Sequence, residues 1–237
     1  MNPKGRDMSK MDRRQFMKLS AGTLAGLSAG FLISAPGCAQ AARSTLPRFD
    51  YGGQGAGQDA ILLAYASRCG STTEVASTIG RVLNEQGAAV HVRPLEDLDD
   101  VSSYRAVVIG SAIRMGKWLP EASDFVKAHY GRLARIPVAC FMTCLTMREP
   151  TQDNRQKAMA YLKPLLEDLP EFKPRSIGLF AGALDYGKVS WALGAVLKAK
   201  GLPEGDFRDW EAIRAWSAQV GPALGAGRVN ESKINKN

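Results

Sequence analysis

The segment from Ala60 to Gly87 constrains the fold of this chain most, because it has the pattern of a strand, a loop and a helix in that order. Ile61–Leu63 is a short apolar run, as expected for a strand covered on both faces. Apolar residues at helical spacing follow, and Gly87 is placed to end the helix. Ser71 and Glu74 have the spacing of a capping box at its start. The segment therefore predicts a βα unit.

The loop between this strand and helix consists almost entirely of small or hydroxyl-bearing residues, Ser67-Arg68-Cys69-Gly70-Ser71-Thr72-Thr73. A helix N-terminus presents unpaired backbone N–H groups and a partial positive charge, and a glycine lets the backbone approach a ligand. The hydroxyls and Arg68 would add hydrogen bonds and charge, so the loop predicts a phosphate site. It matches neither the Walker A loop nor G-x-G-x-x-G. An ordinary capped βα turn is the alternative.

Residues 1–41 have the three-part layout of an export signal. Arg13-Arg14-Gln15-Phe16-Met17-Lys18 precedes an apolar run over Leu19–Ile33, and Ala39-Gln40-Ala41 forms an A-x-A site. The paired arginines resemble the twin-arginine (Tat) signal, which implies export of a folded passenger to the periplasm or the outer face of the cytoplasmic membrane. A membrane anchor is the alternative, but the run is short for a span and is diluted by Gly and Ser.

Processing beyond this signal has two possible outcomes. Cys38 follows Gly37 in a degraded lipobox, and its lipidation would anchor the mature protein to a membrane, whereas cleavage after Ala41 would release it. Residues 42–59 are rich in Gly and polar residues and are expected to form a linker. The domain is then expected over 60–224, with a polar tail over 225–237.

The charge distribution argues against nucleic-acid binding, and the isolated histidines argue against a metal site. Half of the formal net charge of +8 lies in residues 1–41, and no Lys/Arg-rich run with interleaved aromatics follows. Nucleic-acid binding is therefore not predicted. His91 and His129 stand alone without metal-ligand spacing, so no metal site is predicted. Cys140 and Cys144 would lie about 13 Å apart on one extended strand, too far for a disulfide.

The rest of the chain alternates between strand and helix patterns. Further strands are predicted over Ala88–Pro94, Ala106–Gly110, Pro137–Cys144 and Ser176–Ala181, and helices over Leu119–Tyr130, Gln152–Leu169 and Trp210–Gly221. This alternation predicts a doubly wound, five-stranded parallel sheet with helices on both faces. Ligands bind such sheets at the carboxyl ends of the strands. Three more loops therefore join the candidate site: Ser111–Trp118, Thr143–Pro150 and Gly182–Trp191.

Three segments resemble the flavodoxin family. Ala64–Glu74 looks like its FMN-phosphate loop. Val108–Trp118, with its I-G-S-A-I-R-x-G run, and Ala181–Tyr186 are similar to the menaquinone-dependent protoporphyrinogen dehydrogenase branch. The resemblance covers most of the chain from Ala60 to Val220, and it implies a flavodoxin-like fold that binds FMN non-covalently.

The resemblance also implies which residues hold the cofactor. The phosphate would contact the loop residues Ser67, Arg68, Cys69, Gly70, Ser71, Thr72 and Thr73. The isoalloxazine ring would be flanked by Ser111, Ala112, Ile113, Arg114, Met115, Gly116, Lys117 and Trp118, and by Thr143, Cys144, Leu145 and Thr146. Trp118 would stack on the flavin or would be an exposed aromatic at a helix start. Tyr186 and Trp191 would line a quinone or substrate cleft, or would pack against Leu193 and Val196.

These observations favour an exported FMN oxidoreductase or electron carrier with a quinone or redox protein as partner. Protoporphyrinogen oxidation is the family's alternative, but an exported protein would not meet haem precursors, and Gly187–Asp209 is shorter than its counterpart in that enzyme. A cofactor-free binding protein is a second alternative. A signalling receiver shares the fold but needs acidic residues where this chain has Gly110-Ser111 and Ser67-Arg68.

Overall fold

The computed structural model describes residues 46–52 and 59–226. The expected signal peptide, Cys38, much of the expected linker and most of the tail lie outside the described residues. Within those two ranges, no helix combines the length and the apolar character needed to cross a bilayer.

The elements follow one another as strands and helices, with three short 3-10 turns between them. The strands are β1 (Phe49–Tyr51), β2 (Ile61–Ala66), β3 (Val90–Pro94), β4 (Ala106–Arg114), β5 (Lys117–Trp118), β6 (Val138–Thr143), β7 (Ile177–Phe180), β8 (Ala183–Leu184) and β9 (Gly205–Asp206). The helices are α1 (Ser71–Glu85), α2 (Pro120–Ala128), α3 (Tyr130–Leu133), α4 (Gln152–Ala160), α5 (Lys163–Asp168), α6 (Trp191–Ala199) and α7 (Trp210–Ala223).

The five predicted strands form a parallel sheet in the order β3-β2-β4-β6-β7. Alternate residues of β2 face opposite layers: Leu62 and Ala64 pack towards α2, whereas Ile61, Leu63 and Tyr65 pack with α1 and α7. All six residues of β2 are buried, which explains its continuous apolar sequence. The predicted doubly wound fold, with helices on both faces, is confirmed. The strand order reverses between β2 and β4, where such folds bind ligands.

The sheet has an additional edge strand that the sequence did not predict. β1 lies within the expected linker and pairs antiparallel with β3, Phe49 opposite Val92. Tyr65 also donates a hydrogen bond to the carbonyl of Pro47 at 2.6 Å. The folded unit therefore begins before Ala60, because this strand pairs with a distant partner that its own composition does not indicate.

Two of the predicted helices are shorter than expected. The helix predicted over Gln152–Leu169 is interrupted between α4 and α5, where Pro164 lies in the first turn of α5. A proline is tolerated there because its missing N–H would have no partner inside the helix. The helix predicted to reach Tyr130 ends at Ala128, and the separate turn α3 follows.

Candidate functional site

The phosphate loop opens onto the N-terminus of α1 without a side-chain cap. Gly70 is the N-cap residue at φ +89°, and it donates its N–H to Ser67 Oγ at 3.1 Å. The expected capping box of Ser71 and Glu74 does not form, because glycine takes the cap position. An uncapped helix start leaves backbone donors for a ligand. A Cβ on Gly70 would meet no atom within 4 Å, so the loop borders open space.

Two predicted hydroxyls meet at the junction of α1 and β6. Thr72 Oγ1 and Thr143 Oγ1 are 2.7 Å apart, and both side chains are buried. Ser111, also predicted, has a different role. Its Oγ accepts the Leu119 N–H at 3.0 Å and donates to the Ala112 carbonyl at 2.8 Å, so it holds the turn after β4 rather than facing a ligand.

Arg68 is already neutralised by an acidic partner. Its guanidinium donates to Glu121 in the first turn of α2, and both side chains are about a quarter exposed, 24% and 28%. The charge expected from this residue is therefore shared with a carboxylate. A second arginine, which the sequence did not single out, lies closer to the helix start. Arg208 is 7% exposed, donates to the Ser71 carbonyl at 3.3 Å, and pairs with Asp206 and Glu74.

Most of the predicted residues line one cleft of about 410 Å³ at the carboxyl ends of β2, β4 and β6. The phosphate loop contributes Ser67, Arg68, Cys69, Ser71 and Thr72; the other two segments contribute Ala112, Ile113, Arg114, Met115, Gly116, Thr143, Cys144, Leu145 and Thr146. We call these residues the core wall. Gly70, Thr73, Ser111, Lys117 and Trp118 were also predicted to bind the cofactor but do not line the cleft.

Trp118 cannot stack on a ring in this cleft. It is 5% exposed and belongs to the apolar cluster beneath α2, so neither the stacking nor the exposed interpretation holds. The cause is β5, which pairs back on β4 with Trp118 opposite Ile113. Met115 lies at the tip of this hairpin at φ +51° and is 91% exposed.

An unpredicted helix closes the other side of the cleft. Residues on and beside α6 line it with mainly apolar side chains, Val189, Leu193, Leu197, Lys200 and Leu202, which we call the α6 wall. The apolar run after Trp191 indicates this helix. The sequence prediction instead placed Gly182–Trp191 in a loop and named Leu193 and Val196 only as packing partners. Tyr161, within the range predicted as the helix Gln152–Leu169, also borders the cleft, with its OH 2.8 Å from Thr146 Oγ1.

Tyr186 and Trp191 are not cleft aromatics. The Tyr186 hydroxyl donates to the Leu202 carbonyl, and Lys198 Nζ lies 4.5 Å from its ring centroid. Tyr186 therefore contacts the α6 segment through Lys198 and Leu202 rather than lining the cleft, and its predicted packing against Leu193 and Val196 stays a prediction. Trp191 is 83% exposed on the outside of the same helix.

Two buried thiols lie in or near the cleft. Burial raises the pKa of Cys144, against hydrogen bonds from Met147 and Thr146, so its thiol stays protonated near neutral pH. Burial also raises the pKa of Cys140. Across residues 46–52 and 59–226, no group of three or more His, Cys, Asp or Glu is placed to hold a metal ion.

Comparison with known proteins identifies the family. The flavodoxin domain family matches residues 62–198, more than half of the chain. The chain belongs to this family. It is 27% identical over 170 residues to a protoporphyrinogen IX dehydrogenase [quinone] of Escherichia coli strain K12, covering 67% of this chain and 93% of that protein. A Leishmania major protein of the same name is 27% identical over 169 residues, covering 66% and 72%.

Solved structures are more distant. Oxidised flavodoxin 2 from Bacillus cereus is 21% identical, with a TM-score of 0.41 over 70% of this chain and 97% of that one. The family assignment therefore rests on the sequence match. It identifies the flavodoxin-like domain as an FMN-type oxidoreductase or electron-transfer domain.

The cofactor of this domain is FMN, and the residues present fit it. An uncapped helix start with Gly70 at positive φ suits a phosphate, because backbone N–H groups face the open space there. The segment Ser111–Trp118, predicted as a loop, is the end of β4 and its hairpin with β5. This strand end, together with the end of β6 and the turn after it, adds a mixed apolar and hydroxyl surface for a ring. Ser67, Ser71 and Thr72 would hold the phosphate, while Ala112–Gly116 and Thr143–Thr146 would flank the ring.

Proposed function

We propose that this protein is an exported FMN oxidoreductase that passes electrons to a quinone. The observation that carries the proposal is the two-sided cleft: hydroxyls and a helix N-terminus on the core wall face mainly apolar side chains on the α6 wall. FMN, when bound, supplies the electron chemistry, and the protein orients it. The core wall would hold the cofactor, leaving the α6 wall to contact an apolar acceptor.

The α6 wall has the chemistry that an aromatic, apolar acceptor requires. Leu193, Leu197 and Leu202 offer aliphatic contact, and Lys200 is the one charged member of this wall. Apolar lining with few polar groups is typical of small-molecule sites. Tyr161, between the hairpin and Thr146, adds an aromatic edge on the opposite side.

The test is direct electron transfer from photoreduced holoprotein to soluble quinone analogues. Rapid reoxidation of the reduced flavin by quinone is the expected result. In a separate assay, the oxidised holoprotein should accept electrons from protoporphyrinogen only slowly when quinone is present as the final acceptor. Leu193→Asn should raise KM for the quinone while FMN stays bound, because it places an amide in the apolar wall. Ala195→Asn is the matched control on the exposed side of α6 and should leave KM unchanged. Equal effects of the two substitutions would refute the assignment of the acceptor to this wall.

Protoporphyrinogen oxidation is the second candidate, and one observation favours it. The relatives at 27% identity carry the name protoporphyrinogen IX dehydrogenase [quinone], and the match spans 93% of the Escherichia coli protein. The assay with protoporphyrinogen separates the two functions. Rapid oxidation of the porphyrinogen by the oxidised holoprotein, with the electrons passed to an added quinone, would support the activity named for the relatives.

Export is proposed from Arg13-Arg14 before the apolar run. Replacing both with lysine should leave the protein in the cytoplasm with its signal uncleaved. Unchanged delivery to the periplasm would refute a twin-arginine route. The N-terminus of the mature protein settles anchoring: a start at Ala42 excludes lipidation, and a lipidated start at Cys38 attaches the domain to a membrane.

A further inference from the structure

The outer face of α6 is an apolar surface without a packing partner in the described chain. Trp191 is 83% exposed and Val196 is 52% exposed. Ala192, Ala195 and Ala199 are exposed as well, and these five positions fall on one face of a helix. Leu193 and Leu197, on the opposite face, line the cleft. The helix is therefore apolar on both sides, although only one side covers the cleft.

Basic residues surround this face without acidic neighbours in the same segment. Residues 187–202 include Lys188, Lys198 and Lys200 and contain no Asp or Glu. All three lysines are exposed. Lys188 pairs with Asp185 at 3.5 Å, whereas Lys198 lies against the Tyr186 ring and Lys200 also lines the cleft. By helical spacing, Lys198 and Lys200 lie at the two edges of the outer face and give it positive charge.

We propose that the outer face of α6 docks on the surface of an anionic lipid bilayer. Trp favours the boundary between headgroups and acyl chains, and a helix with apolar residues flanked by lysines binds there most strongly when the lipids are anionic. A stable protein partner would need roughly 800 Å² on each side, more than one short alanine-rich helix presents. The charge and the size of the surface both favour lipid.

Docking at α6 would place the cleft beside the membrane. The inner face of the same helix lines the cleft. The bilayer surface would then be separated from the cleft only by the thickness of α6, which shortens the path of a lipid-soluble molecule that leaves the bilayer. Met115, 91% exposed on the hairpin of the core wall, borders the same cleft and adds a second exposed apolar side chain. Docking itself needs no acceptor, so this proposal can fail while the proposed electron transfer stands, and the reverse.

The experiment measures binding to vesicles without any redox reaction. The full chain, purified as its host processes it, carries Cys38→Ala in every sample so that no lipid anchor contributes. Flotation is measured with vesicles of phosphatidylcholine mixed with phosphatidylglycerol and with vesicles of phosphatidylcholine alone. The parent chain should bind the anionic vesicles preferentially, and high salt should reduce the binding.

Substitutions on α6 then test the surface. Trp191→Ser with Val196→Ser should weaken partitioning by at least about tenfold, because two exposed apolar side chains are lost. Trp191→Phe should retain most of the binding. Ala215→Ser with Ala218→Ser, at exposed positions of α7, is the control for surface polarity and should change nothing. FMN content and the unfolding temperature of each variant confirm that the fold is intact.

Quenching of tryptophan fluorescence by brominated lipids gives an independent readout. Trp191 is the most exposed tryptophan of the described chain, so quenching in the parent should disappear in Trp191→Phe. Equal binding of the parent and the double variant, or no preference for anionic vesicles, would overturn the proposal. So would self-association that the double variant abolishes in the absence of lipid, because the surface would then bind protein.

Discussion

The two walls of the cleft differ in how they are supported. The core wall stands on parallel strands whose residues are almost all buried, and its Thr72–Thr143 hydroxyl pair is 2.7 Å apart. The α6 wall is built on and beside a nine-residue helix in which only Gly194 is buried. A cofactor held by the core wall would thus be positioned by the sheet, whereas the proposed acceptor side would depend on an excursion between β8 and β9 with few buried residues.

The α6 excursion is connected to the rest of the domain through a hydrogen bond at Lys188 and through contacts at its base. The Cys69 thiol donates to the Lys188 carbonyl at 3.4 Å, and the Phe207 N–H donates to the Gly182 carbonyl at 3.2 Å. Arg208, immediately after the excursion, pairs with Asp206 and Glu74. A region with few buried apolar contacts opens more easily than a core. We therefore expect substitutions in the core wall to have larger effects than those in the α6 wall.

The largest effect is expected at Gly110, beneath the core wall. An alanine Cβ there would lie 2.1 Å from Cζ of Phe141, a buried ring that has no room to move. Overpacking of this kind should cost about 3 kcal/mol in the free energy of unfolding, measured by urea denaturation. A cost below about 1 kcal/mol would show that the sheet adapts and would weaken the contrast between the walls.

Gly70 tests whether the core wall binds the phosphate. Gly70→Val and Gly87→Val substitute the two ends of α1 at φ +89° and +88°, and neither Cβ would meet an atom within 4 Å. Both variants should lose about 1–2 kcal/mol through backbone strain. Only Gly70→Val should also weaken FMN binding, by about tenfold or more, because a branched side chain at the N-cap would crowd the helix start where the phosphate is expected. Titration of the apo-protein with FMN measures this difference.

The matched strain of the two glycine variants is the control. Equal FMN affinity in both proteins would place the phosphate away from the loop that begins at Ser67.

Arg208 connects β9, at the base of the α6 excursion, to the start of α1, and its loss should have an intermediate effect. Arg208→Met should destabilise the domain by about 1 kcal/mol and increase proteolysis within residues 183–205, because the two ion pairs at the base of this segment are lost. The cost stays small because solvent screens the partly exposed Asp206 and Glu74. Arg214→Met, an exposed arginine of α7, is the control.

The same pair predicts a pH dependence. Hydrogen bonds from Arg208 lower the pKa of Asp206 in the folded protein. A lowered carboxyl pKa contributes stability that is complete above the ordinary value and is lost as pH falls through the folded-state value. Unfolding temperatures of the parent should therefore decline more steeply in acid than those of Arg208→Met. Parallel curves would mean that the pair does not stabilise the fold.

The smallest effect, and the one of opposite sign, is expected at Gly194 in the α6 wall. An alanine Cβ would lie 3.6 Å from Tyr186 and 3.7 Å from Val189, which is ordinary contact. Helix propensity should then stabilise the protein by up to about 1 kcal/mol, measured by thermal unfolding. Destabilisation comparable to that of Gly110→Ala would show that the α6 wall is as tightly packed as the core.

Prediction from sequence succeeded where local pattern and burial agree. The apolar run at Ile61–Leu63 became a central strand, and Gly87 ended α1 at φ +88° because that conformation favours glycine. It failed where a residue's partner is remote. Trp118 is buried because β5 folds back on β4, and the capping box is absent because Gly70 takes the cap position. The strand β1 depends on pairing with β3, more than thirty-five residues away.

The sequence by itself determined the doubly wound sheet, the hydroxyl-rich loop at its switch point and the resemblance that implied FMN, because these follow from hydrophobic periodicity and a short contiguous motif. Only the tertiary structure decided what faces that loop. It paired Arg68 with Glu121, buried Trp118, brought Arg208 to the start of α1 and placed α6 across the cleft. Those contacts join segments far apart in the chain, and no local pattern specifies them.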